Sequence, residues 1–211
     1  YTLWHTLSLH DALPIYSGEI VFEGETVRFS SPQEAIARGF AMVPEDRKKL
    51  SLFMGLPIIF NIGIAELPKL KKLGRIDYRR LKEVAGYYKK RLNIKMGSLD
   101  DPVNSLSGGN QQKTVLARWL STNPKVLILD EPTHGIDIGA KAEIYQLIRN
   151  LARDGISIIL ISSELPEVIS MADRAVVMHE GRVTGIIERD RITEENIMAC
   201  ATGFTDSSLA S

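Results

Sequence analysis

The chain has 211 residues, enough for one domain, with or without a subdomain, and for a sizeable buried core. Its 26 basic and 26 acidic residues balance, so the composition gives no electrostatic reason to expect a nucleic-acid partner. The single cysteine, Cys200, excludes an internal disulfide and suits a reducing compartment, and no apolar run is long enough to span a bilayer. We expect Cys200 to be a small apolar residue on a terminal helix.

The first fifteen residues do not resemble a signal peptide, because they lack a basic region and a continuous apolar core. Residues 6–15 resemble the conceptual translation of a common sequencing adaptor throughout. We therefore interpret residues 1–15 as an adaptor artefact, which removes His5 and His10 from the fold. A truncated domain is then expected at residues 16–203.

From residue 19 onward, short apolar runs alternate with amphipathic stretches, and Gly, Pro and capping residues separate them. The predicted elements in chain order are a hairpin at 19–22 and 26–29, a helix at 32–38, a strand at 40–43, a charged loop at 44–49, helices at 57–67, 77–92 and 111–120, a strand at 126–129, a helix at 140–152, a strand at 157–161, a helix from 164, strands at 175–178 and 182–187, and a last helix capped at 192–195. Strands that alternate with helices predict an α/β protein with a parallel sheet. We expect an inserted helical subdomain at about residues 55–120, a core at about 121–203 and a loose tail at 204–211.

One motif, Leu106-Ser107-Gly108-Gly109-Asn110-Gln111-Gln112-Lys113, predicts a helix whose beginning is free of bulky side chains. Ser107 can cap this helix, and the two glycines leave its backbone bare. Unpaired N–H groups and the positive end of the helix dipole favour an anion there, such as a phosphate. Turns of this kind are common, however, and most of them bind nothing.

A second motif, Val126-Leu127-Ile128-Leu129-Asp130-Glu131-Pro132, is an apolar strand that ends in two acidic residues. A strand that is apolar on both faces belongs in the middle of a parallel sheet, and open α/β sheets bind ligands at the carboxyl ends of their strands. Neighbouring strand residues point to opposite faces, so Asp130 and Glu131 can do the same job only if the strand has ended. Alone, this pattern is also typical of an ordinary strand end.

The two motifs, in this order, resemble the signature motif and the Walker B motif of the ABC ATPases. The resemblance implies a P-loop NTPase fold, with a parallel sheet, an inserted α-helical subdomain and a small antiparallel β-hairpin. It implies ATP and Mg²⁺ as ligands, with Asp130 holding the metal through water. Glu131 would be the catalytic residue that orients or deprotonates the attacking water, although it could instead be a solvent-exposed acid at a strand end.

In this family the signature motif acts in trans, on the γ-phosphate of an ATP that the opposite half holds. The residues that the resemblance assigns to this contact are Ser107, Gly108, Gly109 and Gln111. Asp137 would be the acid of the D-loop, a role compatible with a helix cap. Glu45 stands at the Q-loop position, where most members carry Gln, and Ser163 stands at the H-loop position, where most carry the switch His.

Three further stretches resemble one subgroup, the second nucleotide-binding half of the fused ATPases that power bacterial monosaccharide importers of the ribose, galactose and xylose kind. They are Val43-Pro44-Glu45-Asp46-Arg47-Lys48, Pro132-Thr133-His134-Gly135-Ile136-Asp137-Ile138-Gly139-Ala140-Lys141 and Ile161-Ser162-Ser163-Glu164-Leu165-Pro166-Glu167-Val168. This resemblance covers about residues 17–203. It implies a peripheral position on the cytoplasmic face of the bacterial inner membrane, with the other ABC half and membrane permease subunits as partners, a periplasmic sugar-binding protein as an indirect partner, and no nucleic acid. The loop with Arg47, Lys48 and Lys49 would lie near the membrane partner, or it could be a solvated charge run.

The 211 residues contain no Gly-x-x-x-x-Gly-Lys-Ser/Thr motif. The nearest stretch, Gly135 to Ala142, has its glycines one residue too close and no hydroxyl at Ala142 for Mg²⁺. We therefore expect a chain that lacks the phosphate-loop strand and helix and that hydrolyses no ATP alone. We also expect the strand at 126–129 and its neighbours to lack a pairing partner.

Two other interpretations stay open. In the first, the chain is a non-catalytic helper half that supplies the signature motif in trans to its partner's ATP site. In the second, it is a soluble ABC protein of translation or DNA repair, although it shows no sustained heptads like those of the coiled coil in repair ATPases. His134 is expected to be an ordinary loop residue and His179 a hairpin residue.

Overall fold

The computed structural model describes residues 18–72 and 74–203, so the adaptor-like segment 1–15 and the tail 204–211 lie outside the described residues. The strands in this part are β1 (Ile20–Phe22), β2 (Glu25–Val27), β3 (Phe40–Val43), β4 (Lys71–Lys72), β5 (Arg75–Ile76), β6 (Val126–Asp130), β7 (Ser157–Ile161), β8 (Arg174–His179) and β9 (Arg182–Glu188). The helices are α1 (Pro32–Ala37), α2 (Ile58–Gly63), α3 (Tyr78–Arg91), α4 (Gly108–Leu120), α5 (Ile138–Arg153), α6 (Leu165–Met171) and α7 (Glu194–Ala201). Of the helices just named, none is both long and apolar enough to cross a bilayer.

A parallel sheet in the order β3-β6-β7 forms the centre of the described fold. β6 lies between its neighbours with Leu127 and Leu129 fully buried. Its register places Leu129 opposite Val43 on one side, and Asp130 opposite Ile161 on the other. The sequence prediction of a parallel sheet with this strand in the middle is confirmed.

The expectation that residues 126–129 lack a partner strand is wrong, because β6 is hydrogen-bonded along both of its edges. β3 precedes it in the chain and β7 follows it, and the two fill both edges. Among the described strands, β3 and β7 are the outer strands of this sheet, and each has one unpaired edge. The β7 side chains Ile159 and Ile161 are 50% and 47% exposed.

Separate two-stranded antiparallel hairpins accompany this sheet in the described part of the chain. β1 and β2 pair across Glu23 and Gly24, whose φ angles are 54° and 81°, and β8 and β9 pair across Glu180 and Gly181, at 47° and 77°. Two consecutive residues with positive φ give the turn whose twist matches that of hairpin strands. Both hairpins were predicted, although β2 ends two residues earlier than expected, while the short pair β4 and β5 was missed.

One buried apolar cluster runs through both the sheet and the helices α2, α3 and α4. The hydroxyl of Tyr88 on α3 also donates to the carbonyl of Leu120 at 2.8 Å, which fastens α3 to the end of α4. A second, smaller cluster lies between the β8–β9 hairpin and α7. It contains Cys200, which is buried on this last described helix as predicted.

A buried polar network fastens α4 to the segment before α2. Arg118 donates its Nε to the carbonyl of Asn61 at 2.7 Å and its Nη1 to the carbonyl of Ser51 at 2.6 Å. The amide of Asn61 accepts from the N–H of Phe53 and donates to the carbonyls of Phe53 and Leu56. Burial lowers the pKa of Arg118 to about 10, so it stays charged near neutral pH, and these bonds offset its desolvation.

Candidate nucleotide-binding and catalytic site

The first turn of α4 has no side-chain cap. Ser107 occupies the N-cap position, but its hydroxyl accepts from Nδ2 of Asn110 at 2.9 Å and forms no cap hydrogen bond. The expectation that Ser107 caps this helix is therefore wrong, because Asn110, three residues on, takes up the hydroxyl. Since the first N–H groups of a helix have no intrahelical acceptor, they remain available beside the exposed Ser107.

The two glycines at the start of α4 allow close packing as well as a bare backbone. A Cβ added at Gly109 would lie 2.7 Å from Cβ of Ala140 on α5. A Cβ at Gly108 would lie 2.8 Å from Nη2 of Arg47 and 3.4 Å from the carbonyl of Gly135. The distances of 2.7 and 2.8 Å are shorter than real Cβ contacts, so the helix start packs against α5 and against Arg47, which the sequence did not predict.

Gln111 points inward. Its side chain is 4% exposed, and Nε2 donates to the carbonyl of Leu106 at 3.1 Å. Its Oε1 is buried and has no hydrogen-bond partner in the part of the chain that the structure describes. The side chain thus lies against the turn that precedes the helix.

Strand β6 ends between the two acidic residues. Asp130 is its last residue, and Glu131 has a φ of 44°, a left-handed conformation that a non-glycine residue rarely adopts. The N–H of Glu131 donates to the carbonyl of Ile161 at 2.9 Å, and its Oε1 accepts from the N–H of Ser163 at 2.6 Å. From the sequence, Asp130 and Glu131 could act in one site only if the strand ended at this point. The structure shows that β6 does end there.

Asp130 fits the role of a magnesium ligand. Burial, and then the charge of Glu131, raise the pKa of Asp130, and a cation nearby would favour its ionised form. Residues 18–72 and 74–203 contain no cluster of three or more His, Cys, Asp or Glu side chains that could hold a metal. Mg²⁺ does not need such a cluster, because one or two carboxylates suffice where substrate phosphates and water supply the remaining ligands.

The charged loop is an ordered π-helical turn, Arg47–Ser51, whose N-cap Asp46 accepts from the N–H groups of Lys48 and Lys49. Lys48 and Lys49 are exposed, as a solvated charge run would be. Arg47 is not: it is 9% exposed and donates to the carbonyls of His134 and Gly135 at 3.0 and 3.3 Å. Arg47 therefore ties this turn to the loop that follows Glu131.

Glu45 also faces that loop. Its Oε1 lies 3.5 Å from Nδ1 of His134, whose side chain is 67% exposed. His134 is thus an exposed loop residue, as expected.

The remaining predicted positions lie at helix starts. Asp137 caps α5 and accepts from the N–H of Ala140 at 2.9 Å, which confirms the cap.

The sequence analysis missed two charged residues near Asp137. Lys141 on α5 binds Glu164, and Glu167 on α6 is 1% exposed, with its Oε1 accepting from the Thr133 hydroxyl at 3.4 Å. Neither stands out in the sequence, because charged residues on helices are normally solvated.

Comparison with known proteins decides the family. The family model described as ABC transporter matches residues 2–134, which is more than half of the chain. This chain belongs to the ABC transporter family of ATPase domains. The match reaches into the adaptor-like segment at residues 1–15.

Similar proteins include some named as import ATP-binding proteins. The chain is 47% identical over 196 residues to the ribose import ATP-binding protein RbsA of Geobacillus kaustophilus, covering 93% of this chain and 40% of that protein. It is 50% identical over 186 residues to the xylose import ATP-binding protein XylG of the same organism, covering 88% of this chain and 37% of that protein. The chain therefore spans about two fifths of the length of these relatives.

Solved structures show the same ABC fold. The ATP-binding cassette MJ1267 of an ABC transporter superposes with a TM-score of 0.72 at 22% identity, over 88% of this chain and 77% of that one. A dimeric structure of the cassette MJ0796, bound to ADP and phosphate, gives 0.66 at 22% identity over 82% of this chain and 74% of that one. At this identity the likeness shows the fold alone.

Proposed function

We propose that this chain is the second ATP-binding half of an ATPase that powers monosaccharide import across a bacterial inner membrane, at the cytoplasmic face. One observation carries the proposal. The same fold presents a helix that begins at residues 107–109 with glycines and no side-chain cap, and a strand that ends at Asp130, just before Glu131. Relatives named as ribose and xylose import ATP-binding proteins support the substrate class.

In this proposal the start of α4 grips an ATP that the opposite half carries. Its free N–H groups and dipole oppose the negative charge of the γ-phosphate, and Gly108 and Gly109 let the phosphate approach the backbone. Since the Gln111 side chain is turned inward, its role in the grip would be to hold the preceding turn at Leu106 in place. The dimeric state of the MJ0796 cassette is consistent with a site shared by two domains.

The acids of β6 would serve this half's own nucleotide. Asp130 would hold Mg²⁺ through water, and the ion would neutralise charge on the phosphates. Glu131 has Oε1 fixed by the N–H of Ser163, which leaves Oε2 to orient or deprotonate the attacking water. Asp137, at the start of α5, would face the partner half.

The permease partner is supported by an exposed apolar surface beside the charged turn. Leu50, Phe53 and Leu56 are 66%, 48% and 44% exposed, and Lys48 and Lys49 lie next to them in the chain. A permease surface in contact with this segment would bury these apolar side chains. The sugar-binding protein would act through the permease, and no nucleic acid takes part.

We also propose that these 211 residues hydrolyse no ATP alone, because they contain no Walker A motif. Two measurements test the proposed function. The purified chain should show no ATPase activity above background, and the complete gene product that contains it should hydrolyse ATP. A chain that hydrolyses ATP at a rate lost on Glu131→Gln would overturn the first statement, and a complete gene product that hydrolyses no ATP would overturn the second.

A helper half is the second candidate. It is favoured by Glu45 and Ser163, which stand where most ABC ATPases carry Gln and His. The two candidates differ in the effect of Glu131→Gln in the complete gene product. Loss of transport assigns catalysis to this half, whereas transport that persists at the wild-type rate assigns it the helper role.

A further inference from the structure

Lys141, the lysine of the stretch at 135–142 that has nearly the spacing of a phosphate loop, has a protein partner on another element. Its Nζ lies 2.5 and 2.7 Å from the two carboxylate oxygens of Glu164. Glu164 is the N-cap residue of α6 and directly follows Ser163. One ammonium thus joins the first turn of α5 to the segment that supplies the hydrogen bond to Glu131.

That hydrogen bond depends on the position of a backbone group. A side-chain donor can adjust its rotamer, but the N–H of Ser163 moves only when residues 162–164 move as a unit. Ser163 itself is exposed, so packing does not fix it. The carboxylate that it holds belongs to Glu131, whose left-handed backbone needs support from its surroundings.

Other contacts restrain this region as well, including the N–H of Glu164, which donates to Oγ of Ser162 at 3.1 Å within the segment itself. The hydrogen bond from the Glu131 N–H to the carbonyl of Ile161 extends the pairing of β6 with β7, and it precedes residues 162–164 in the chain. The hydroxyl of Thr133 reaches Glu167 only at 3.4 Å, and Glu167 lies four residues after Ser163. The hydrogen bonds between Lys141 and Glu164 are shorter than these contacts, and Glu164 is the residue next to Ser163.

The surroundings of this pair favour a real attraction. The side chain of Lys141 is 21% exposed and that of Glu164 is 40% exposed, so solvent screens the pair less than it would a fully exposed one. The hydrogen bond to Glu164 raises the pKa of Lys141, which keeps it charged, and the nearby Tyr145 and Glu167 add to this effect electrostatically.

We propose that Lys141 and Glu164 are a positioning pair that holds the Ser163 N–H on the Glu131 carboxylate. This inference rests on the proposed function only where it concerns hydrolysis. The pair ties the helix that Asp137 caps to the segment that orients Glu131. Breaking it leaves Glu131 free to turn away from the attacking water.

Charge reversal tests the pair in the complete gene product. Lys141→Glu and Glu164→Lys should each lower kcat by about fivefold, with KM for ATP unchanged within about twofold, and the double swap should restore most of kcat. Amide exchange of a peptide covering residues 162–164 should become faster in each single variant and return to the wild-type rate in the double swap. Rescue by the swap separates positioning from a general loss of structure.

The ion pair of Arg91 and Asp154 provides the matched control. It lies at the other end of α5, with Arg91 Nη2 2.8 Å from Asp154 Oδ2. Arg91→Asp and Asp154→Arg should change neither kcat nor exchange at 162–164. If all four single variants behave alike, or if the double swap rescues nothing, the inference is overturned. A wild-type protein that hydrolyses no ATP would refute the proposed function instead, and the exchange result alone then decides whether the pair holds Ser163.

Discussion

The Oε1 of Glu131 accepts a 2.6 Å hydrogen bond from the backbone N–H of Ser163. The two residues follow β6 and β7, parallel neighbours whose carboxyl ends meet at one edge of the sheet, with Asp130 opposite Ile161 in the register. Here the backbone, and not the side chain, restrains the acid.

Removing this N–H should impair hydrolysis more than removing the hydroxyl of Ser163. Ser163→Pro eliminates the donor, so kcat of the complete gene product should fall by about tenfold or more, as for loss of a hydrogen bond to a charged group. Ser163→Ala keeps the N–H and should change kcat by less than about twofold. Steady-state ATPase assays check this, and circular dichroism confirms that the proline variant is folded. Equal loss in both variants would assign the effect to the side chain.

Bulk at the start of α4 should block transport without unfolding the chain. Ser107→Arg places a long side chain beside the N–H groups of the first turn and should abolish sugar uptake by the complete gene product. Ser107→Ala should be tolerated, with a change of less than about 0.5 kcal/mol in the free energy of unfolding, because Ser107 makes no cap bond. Uptake assays in cells with matched expression measure the first effect. Normal uptake by the arginine variant would argue against the trans role.

Gly109 should be intolerant of a methyl group. Gly109→Ala brings a Cβ to 2.7 Å from that of Ala140, and such overpacking should lower the free energy of unfolding by about 1–3 kcal/mol. Gly86 on α3 is the control, since a Cβ there meets nothing within 4 Å. Gly86→Ala should raise stability by up to about 1 kcal/mol through helix propensity. Urea titrations of both variants decide the matter, and a neutral Gly109→Ala would show that α5 can retreat.

Arg118 should be required for the folded core. Arg118→Met leaves the carbonyls of Asn61 and Ser51 without a buried partner, which should cost about 3 kcal/mol or more. Arg149→Met is the control, because Arg149 is exposed and its single bond to Ser170 is 3.3 Å long. That change should cost less than about 0.5 kcal/mol. Similar midpoints for the two variants in urea would contradict a structural role for the network.

Glu167 should give the stability a distinctive pH dependence. Burial raises the pKa of Glu167, and the charges of Glu164 and Glu131 add to this effect against hydrogen bonds from Ser162 and Thr133. Because the folded pKa exceeds the unfolded one, the stability that Glu167 contributes is complete below about pH 4 and is lost as the pH rises through the raised value. Glu167→Gln should therefore be more stable than the wild type at pH 8, with the difference vanishing near pH 4. A difference that is the same at both pH values would exclude this account.

The sequence predicted the sheet because hydrophobic period and turn residues agree along it: β6 is apolar on both faces, and Glu180-Gly181 suits a hairpin turn. It also placed Asp130 and Glu131 at a strand end. It could not predict the buried Arg47, the inward Gln111 or the pair of Lys141 and Glu164. These depend on which segments meet in space, and a charged or amide side chain carries no local pattern that distinguishes a buried partner from solvent.

The pairing of β6 also could not be predicted from the sequence alone. Strand order is not encoded in a strand's own residues. The structure was needed to show that β3 and β7 lie on either side of β6 and form the unpaired edges of the sheet. The exposed Ile159 and Ile161 have the apolar character of core residues. From the sequence alone they look no different from Leu127 and Leu129.

We propose that the first turn of α4 binds a nucleotide held by another domain, and a structure of the complete assembly with a non-hydrolysable ATP analogue and Mg²⁺ would show this contact. In that structure, N–H groups of residues 107–109 should lie about 3 Å from γ-phosphate oxygens of the nucleotide on the opposite half. A structure in which every phosphoryl oxygen lies beyond hydrogen-bonding distance of these residues would contradict it.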